Sequence, residues 1–215
     1  MGPFYWVRHA ESDWNAANRL CGRTDVALSE MGRLQARRLA ERFAALPVEA
    51  LYTSPLRRAV ETAEIIAERH GIQPVVEPSL VELNYGAWEG MTFAEIMHRD
   101  GENFRAWDAD PGAVAPPGGE SGEEALARIT PFLDMLRTRH PQGNVVVVSH
   151  KTISRLIVCH VLGLPLSEYR RRLTMDNAAV SIIQPEEPGW RLVLLNDISH
   201  LAVPGTSPPT ADGAF

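Results

Sequence analysis

The chain has 215 residues, 45% of them hydrophobic, and its 27 acidic and 21 basic residues give a formal net charge of -6. This length predicts one domain with a substantial core, and the acidic balance excludes the broad positive face that nucleic-acid binding requires. Two cysteines, no signal-like N-terminus and apolar stretches far shorter than a bilayer span together predict a reduced, cytoplasmic protein that does not bind membranes.

The first predicted elements are a strand and a helix. The apolar run that starts at Phe4 predicts a strand over residues 4–8, buried on both faces. The first clear helix begins at Ser29, an N-cap residue, and runs to about Leu46. Its expected apolar side carries Leu34, Leu39, Phe43 and Leu46.

The middle of the chain alternates strands with helices. Short strands are predicted at residues 50–53 and 74–77, on either side of a helix from about residue 56 to residue 70. A loop rich in Pro, Gly and Ala, residues 109–119, separates two helical stretches and is expected to lie over the functional site. The helix after this loop covers about residues 123–139.

The last third of the chain continues this pattern and closes with a hairpin. A second buried strand, residues 144–150, precedes a helix over about residues 152–162 that ends at Gly163. Strands at residues 180–183 and 191–195 then face each other across a turn rich in Pro, Glu and Gly.

The order of these elements predicts an α/β fold. Alternating strands and helices favour a mainly parallel central sheet with helices on both faces, which is a three-layer sandwich. The late hairpin adds an antiparallel edge strand. We expect a single domain over residues 1–203 and a flexible tail, which lacks periodicity, over residues 204–215.

Polar motifs stand at four strand ends or helix starts. Arg8-His9 follows the first strand, and Ser149-His150-Lys151 ends the second buried strand. Between them lie Ser54-Pro55-Leu56-Arg57-Arg58 and Glu82-Leu83-Asn84-Tyr85. Because the carboxyl ends of parallel strands meet at one edge of a sheet, we expect these motifs to share one cleft.

The residue types in these motifs suit cleavage of a phosphomonoester by a covalent route. A neutral imidazole such as His9 can attack phosphorus, while Arg8 and Arg58 stabilise the equatorial oxygens without a metal. The leaving alkoxide needs a proton, and the water that later attacks the phosphohistidine needs a base. A carboxyl of raised pKa can serve both steps, and Glu82 is the candidate.

Longer motifs extend this pattern along the chain. Residues 8–15 read Arg-His-Ala-Glu-Ser-Asp-Trp-Asn, and residues 54–63, 82–90 and 149–150 follow as further blocks. In this order, over about residues 4–200, they resemble the signature blocks of the histidine phosphatase superfamily, the phosphoglycerate-mutase-like proteins. The resemblance implies the phosphoglycerate-mutase-like α/β fold and a phosphatase that needs neither a metal nor another cofactor.

The resemblance also implies roles for individual residues. His9 would be the phosphorylated nucleophile and Glu82 the proton donor. Arg8, Arg58 and His150 would line the phosphate pocket. The further substrate contacts that it implies are Asn15, Cys21, Gly22 and Tyr85.

Two positions depart from the pattern of the family. Ala10 stands in place of the usual glycine, which an alanine tolerates where its φ is negative. Lys151 stands where many relatives have a small residue. We expect Lys151 to add a cation at the mouth of the pocket and to favour substrates that carry a second anionic group.

Other polar and aromatic residues have simpler interpretations. Arg57 is expected in solvent, because consecutive helical residues point in different directions. Trp88 and Trp107 are expected to pack rather than to flank a substrate. His200, in the segment after the last strand, is left open as a site residue.

Three alternatives to a phosphatase stay open. A cofactor-dependent phosphoglycerate mutase uses the same chemistry, but mutases of the family typically carry a longer insertion before the second histidine than this chain has. His9, His150 and Glu82 could instead form a metal site, which the arginines of the same cleft would oppose electrostatically. The third alternative is a non-catalytic phosphate-binding protein, against which the presence of both His9 and Glu82 argues.

The expected substrate is a small, polar phosphomonoester. Residues 104–107, 118–121, 176–179 and 195–200 are similar to segments of metal-independent phosphoserine phosphatases, and variants of them occur in broad-specificity and α-ribazole-phosphate phosphatases. Phosphoserine, sugar phosphates and phosphoglycerates are therefore the leading candidates. No nucleic-acid or membrane partner is expected, and a homodimer is left open.

Overall fold

Six strands form one sheet at the centre of the computed structural model, which describes residues 2–202. Their order across the sheet is the third, second, fourth, first, fifth and sixth along the chain, and the last two are antiparallel to their neighbours. The predicted α/β fold, with a mainly parallel sheet and an antiparallel edge, is confirmed. The tail predicted over residues 204–215 lies outside the described residues. The strands are β1 (Phe4–Arg8), β2 (Val48–Thr53), β3 (Val75–Val76), β4 (Asn144–Ser149), β5 (Val180–Pro185) and β6 (Trp190–Asp197).

Helices cover both faces of this sheet. In the part of the chain that the structure describes, no helix combines the length and apolar character that a membrane span needs. The helices are α1 (Asp13–Ala16), α2 (Glu30–Phe43), α3 (Arg57–Ala67), α4 (Phe93–Ala109), α5 (Gly122–Arg139), α6 (Lys151–Leu162) and α7 (Tyr169–Arg172).

The valines of β4 divide the core into two layers. Val145 and Val147 belong to a cluster with buried residues of α4, α5 and α6, whereas Val146 and Val148 belong to a cluster with those of α2 and α3. Successive side chains of a strand point to opposite faces, so four consecutive valines serve both layers. This is the three-layer arrangement that the sequence predicts.

Helix α2 begins as predicted, but its buried face differs from the predicted apolar side. The Ser29 hydroxyl accepts a hydrogen bond from the backbone N–H of Gly32, and the helix ends at Phe43 rather than near Leu46. The prediction that Leu34 lies on the apolar side is wrong, because 44% of this residue is exposed. Small residues spaced at helical intervals allow the helix to pack closely, and Leu34 falls outside their stripe. The buried positions are Gly32, Ala36, Leu39, Ala40 and Phe43.

Helix α4 has no predicted counterpart with defined bounds. Thr92 and Glu95 form a capping box at its start, and the helix is kinked at Asp100, which has φ -145° and ψ 42°. Phe104 and Trp107 in its second half are buried. The kink interrupts the helical period of the apolar residues, which explains why the pattern is weak in the sequence.

The remaining boundaries differ from the prediction by a few residues. Helix α3 ends at Ala67 rather than at His70, and β3 is only two residues long. His150 belongs not to β4 but to the start of α6, where it is the N-cap residue.

Candidate active site

The carboxyl ends of three parallel strands bring the predicted motifs to one edge of the sheet. Arg8 at the end of β1 pairs with Ser149 of β4, and the N–H of His9 donates to the Ser149 carbonyl at 2.8 Å. On the other side of β4, the N–H of Ser54 donates to the Val148 carbonyl at 3.0 Å. The backbone therefore places the first, second and fourth motifs next to one another, as parallel topology requires.

The His9 ring is held in one tautomer. Its Nδ1 lies 2.7 Å from the Ala10 carbonyl oxygen, which can only accept a hydrogen bond, so Nδ1 carries the proton. Nε2 then holds the lone pair, and Arg58 Nε donates to it at 3.2 Å. Burial, reinforced by the positive charges of Arg58 and Arg8, holds the pKa of His9 well below its usual range. His9 is therefore a neutral imidazole at pH 7.

Arg58 is a fully buried cation held by carbonyl oxygens. Its Nη2 donates to Gly22 at 2.7 Å and its Nη1 donates to Thr24 at 3.0 Å. A Cβ at position 22 would lie 2.5 Å from the Leu83 carbonyl oxygen, a backbone atom, so glycine is required where this loop packs against the Glu82 segment. Because carbonyls carry no net charge, Arg58 keeps its positive charge available to an anion.

Arg8 supplies a second cation beside His9. Only 4% of the residue is exposed, and its Nη1 donates to the Met175 carbonyl at 2.6 Å. The carbonyl of His9 itself accepts from the N–H of Ala178 and from the side-chain amide of Asn177, at 3.2 and 3.3 Å. The segment before β5 therefore fixes the histidine and one of its arginines together.

His150 stands beside His9, with the two ring centroids 5.1 Å apart. Its Nε2 lies 2.7 Å from the Ser54 hydroxyl, whereas its Nδ1 is buried and has no hydrogen-bond partner among residues 2–202. Burial and the positive charge of Arg58 hold the pKa of His150 well below its usual range. Unpartnered buried polar atoms are rare, and here the atom belongs to a ring next to two cations and an imidazole.

Glu82 is a buried carboxyl with a raised pKa. Its two oxygens accept hydrogen bonds from backbone N–H groups, Oε1 from Leu83 at 2.8 Å and Oε2 from Thr152 at 3.1 Å. Burial raises the pKa of Glu82, and these two N–H groups together with Arg58 and Arg8 only partly oppose that rise. This upward shift favours the protonated carboxyl more than in an exposed glutamate, which suits a general acid.

Three of these side chains, Arg8, His9 and Glu82, line a cavity of about 390 Å³. Arg58, His150 and Gly22 do not line this cavity. Arg58 and His150 are fully buried, and Arg58 donates to His9 and to the Gly22 carbonyl. A volume of this size admits a small metabolite. The predicted residues that line the cavity are Arg8, His9, Asn15, Cys21, Glu82, Tyr85 and Lys151.

Three predicted substrate contacts in this wall, Asn15, Tyr85 and Cys21, differ in their hydrogen bonds and protonation. The Asn15 carboxamide oxygen accepts from the Ser12 backbone N–H in a capping box and from the Asn177 amide. The Tyr85 hydroxyl lies 2.6 Å from the Thr152 hydroxyl. Burial raises the pKa of Cys21 to about 11, so its thiol stays protonated at neutral pH and is a poor nucleophile.

Several cavity residues escaped the sequence analysis. Arg155 follows Lys151 by one helical turn on α6, and this spacing could have marked it as a neighbour on the same face. The rest of the missed wall comes largely from α4, from α7, and from loops without a recognisable pattern. These residues are Asn18, Arg19, Leu20, Thr92, Phe93, Thr152, Arg155, Tyr169 and Arg170.

The loop predicted over the site does not line the cavity. Pro117 and Gly119 instead pack against the backbone of the Glu82 segment, and the carbonyl of Pro117 accepts a hydrogen bond from the N–H of Ala87. The composition of this segment predicts a loop, but it does not predict the direction in which the loop folds. It supports the segment that holds Glu82.

Three further predictions can be compared with the structure. Arg57 is exposed and pairs with Glu61, as expected for the arginine that does not enter the site. Trp88 and Trp107 are buried and stack edge to face with ring centroids 5.4 Å apart, so both belong to the core. His200, which was left open, lies 3.1 Å from Arg42 and does not line the cavity.

The alternative of a metal site is not supported by the described side chains. Residues 2–202 contain no cluster of three or more His, Cys, Asp or Glu side chains arranged to hold a metal ion. The geometry gives a reason, because His9 Nε2 faces the Arg58 guanidinium. A cation at this nitrogen would meet another cation.

Comparison with known proteins places this arrangement in context. The sequence model of the histidine phosphatase superfamily (branch 1) matches residues 4–198. Phosphoserine phosphatase 1 of Hydrogenobacter thermophilus is 39% identical over 195 residues, which are 91% of this chain and 92% of that protein. A probable phosphoglycerate mutase, GpmB of Photorhabdus laumondii, is 35% identical over 211 residues, covering 95% and 97%. A mycobacterial glucosyl-3-phosphoglycerate phosphatase solved with VO3 has a TM-score of 0.83 at 32% identity, covering 91% of this chain and 99% of that one.

Proposed function

The chain belongs to branch 1 of the histidine phosphatase superfamily, and from this premise we propose that it hydrolyses small phosphomonoesters through a phosphohistidine on His9. The observation that carries the mechanism is the His9 ring itself. Its Nδ1–H is held by the Ala10 carbonyl, which leaves Nε2 as a neutral nucleophile beside Arg58. Phosphatase activity follows from the family and from relatives such as phosphoserine phosphatase 1.

In the first step, His9 Nε2 attacks phosphorus and the bond between phosphorus and the leaving oxygen breaks. The leaving oxygen takes a proton from the Glu82 carboxyl, whose pKa is raised by burial. The products are a neutral alcohol, a phosphohistidine and a Glu82 carboxylate. Atoms and charges balance without a metal or another cofactor.

In the second step, water attacks the phosphohistidine. The Glu82 carboxylate takes a proton from the water, the bond between phosphorus and nitrogen breaks, and the electron pair returns to His9 Nε2. Inorganic phosphate leaves, and the enzyme has its starting protonation state again. One carboxyl therefore acts as acid and then as base, because the two steps are chemically the reverse of each other.

Cations and neutral donors hold the phosphoryl oxygens in both steps. We assign this role to Arg8, Arg58 and the unpartnered Nδ1 of His150, with Asn15 as a further donor. Fixed donors of this kind stabilise the charge that spreads over the equatorial oxygens in phosphoryl transfer. Tyr85, Cys21 and Lys151 in the cavity wall and Gly22 behind it would shape the space for the alcohol.

A phosphoglycerate mutase is the second candidate, because a relative at 35% identity bears that name as a probable assignment. A mutase must keep the phosphohistidine away from water until the isomer is formed. We rank it below the phosphatase because the segment between Glu82 and His150 holds little material for such a cover.

The test is phosphate release from a panel of phosphoserine, sugar phosphates, phosphoglycerates and p-nitrophenyl phosphate, in excess chelator. We expect turnover without added metal and an acid-labile phosphoenzyme that is absent from the His9→Ala variant. A parallel incubation with 3-phosphoglycerate and trace 2,3-bisphosphoglycerate should release phosphate. Rapid formation of 2-phosphoglycerate would favour the mutase, and full turnover by His9→Ala would exclude the covalent mechanism.

A further inference from the structure

A buried cation with no partner lies in the wall of the cavity. Only 6% of Arg155 is exposed, and its Nε has no hydrogen-bond partner among residues 2–202. No ion pair or ring contact is formed by its guanidinium within the same range of residues. Burying a charge without a partner is strongly unfavourable, so Arg155 lowers the stability of the folded protein.

The neighbouring cations of the cavity are compensated, which sets Arg155 apart from them. Arg170 pairs with Asp108 at 3.1 Å and lies 3.9 Å from the ring centroid of Trp107. Arg19 pairs with Glu95 at 3.3 Å. Burial lowers the pKa of Arg155 below its usual value, and the charge of Arg170 adds to this effect, which Tyr85, Tyr169 and Glu82 only partly oppose.

A second buried donor without a partner adjoins the same cavity. The Tyr169 hydroxyl, on α7, has no hydrogen-bond partner among the described residues, and only 1% of Tyr169 is exposed. Burial raises the pKa of this hydroxyl far above its usual value, so it remains a donor. Arg155 Nε and the Tyr169 hydroxyl are therefore two donors that lack an acceptor, and an anion could satisfy both.

We propose that Arg155, with Tyr169 beside it, binds a carboxylate on the substrate, so that the enzyme prefers phosphomonoesters that carry a carboxylate close to the phosphate. The inference rests on the proposed function, because it concerns the part of the same substrate that is distant from phosphorus. The planar guanidinium matches a carboxylate with two parallel N–H donors. Lys151, one turn earlier on α6, adds positive charge to the same face.

Two pairs of substrates that differ only in the carboxylate test this proposal. One pair is phosphoserine and phosphoethanolamine, and the other is 3-phosphoglycerate and glycerol 3-phosphate. In each pair we expect kcat/KM to favour the carboxylated member by on the order of 10- to 100-fold, the range for a charge-assisted hydrogen bond. Equal values for both members in the wild type would overturn the proposal.

The Arg155→Met variant then tests whether Arg155 causes the preference for carboxylated substrates. We expect the ratio within each pair to fall by at least about 10-fold, through a higher KM for the carboxylated member. Thermal unfolding supplies a second readout, because removal of an uncompensated buried charge should leave Tm unchanged or raise it. A variant that loses the same factor on both members of a pair would contradict a specificity role.

A matched control and a second variant complete the experiment. Arg172→Met changes an exposed arginine of α7 that pairs with Glu168, and it should keep the wild-type ratio. Arg155→Gln, which keeps hydrogen-bonding capacity without the charge, replaces the methionine variant if that variant does not fold. An inactive wild type on all four esters and on p-nitrophenyl phosphate would refute the proposed function itself, whereas turnover without a carboxylate preference would refute only this inference.

Discussion

The Nε of Arg58 lies 3.2 Å from Nε2 of His9 and donates a hydrogen bond to the lone pair that we propose as the nucleophile. The proposed nucleophile and a cation are thus hydrogen-bonded to each other. A phosphoryl oxygen that accepts from Arg58 would replace the lone pair as the acceptor. In the proposed mechanism, binding of the phosphate would therefore also free the lone pair of His9.

The first prediction concerns this pair. Arg58→Lys keeps a positive charge but loses the fork that reaches His9 Nε2 and the carbonyls of Gly22 and Thr24. We expect kcat/KM to fall by roughly 10²- to 10³-fold, because a lysine cannot reproduce several directed donors. Arg57→Lys, at the exposed neighbouring position, should change it by less than about twofold. Equal effects of the two variants would contradict the role of Arg58.

The second prediction separates the steps in which Glu82 takes part. Glu82→Gln cannot protonate a leaving group, so turnover of alkyl phosphates should fall by roughly 10²- to 10⁴-fold. The burst of p-nitrophenol from p-nitrophenyl phosphate should persist, because that leaving group needs no proton. Stopped-flow measurement of this burst tests whether Glu82 protonates the leaving group. Glu102→Gln, at an exposed position of α4, is the control. A lost burst would assign Glu82 a role in phosphate binding instead.

The third prediction is the pH dependence of kcat/KM for alkyl phosphates. The reaction needs His9 neutral and Glu82 protonated, and the structure lowers the pKa of the first and raises that of the second. Activity should therefore fall on the acid side only well below pH 6.5, and on the alkaline side as Glu82 loses its proton. With p-nitrophenyl phosphate, the burst rate should lack the alkaline decline. An acid limb at or above pH 6.5 would contradict the neutral imidazole.

The fourth prediction concerns stability and uses His200, which lies outside the cavity. Burial and the charge of Arg42 lower its pKa from 6.5 to about 4. The unfolded chain therefore takes up the proton first as the pH falls from 6.5 to 4, and stability that is present above pH 6.5 is lost through this window. Because His200 is partly exposed, we expect the free energy of unfolding to fall by only about 1 kcal/mol between pH 7 and pH 5.

Urea unfolding at these two pH values tests this assignment. In His200→Gln the free energy of unfolding should depend on pH less steeply than in the wild type. His98→Gln, which changes an exposed residue of α4, should retain the wild-type slope. A wild-type slope in His200→Gln would mean that His200 titrates normally in the folded protein.

The fifth prediction compares two helical glycines. A Cβ at Gly32 of α2 would overlap the carbonyl oxygen of Glu11, a backbone atom that cannot move aside by a rotamer change. Gly32→Ala should therefore destabilise the protein by about 2–4 kcal/mol. In Gly101→Ala the nearest atom is the end of the flexible Arg105 side chain, at 3.2 Å, and we expect a change within about 1 kcal/mol. Thermal or urea unfolding of both variants distinguishes the two outcomes.

The inner end of the site was predictable from the sequence because strands position it. Arg8, His9 and His150 stand at the ends of apolar runs. Parallel pairing of the strands brings these ends together, independently of the conformation of the loops. The outer wall was not predictable. Arg170 comes from a four-residue helix, and Phe93 starts a helix that is kinked at Asp100, so neither region has a clear period.

The position of β4 in the sheet has a consequence for the order of assembly. Strands β1 and β2 are not neighbours, since β4 lies between them and pairs with both. During synthesis β2 can pair with β3 early, whereas β1 has no partner strand until residues 144–149 have emerged. Contacts between distant parts of the chain form slowly. Turnover is thus a sensitive reporter of complete folding, because a chain interrupted before β4 lacks the strand on which both histidines depend.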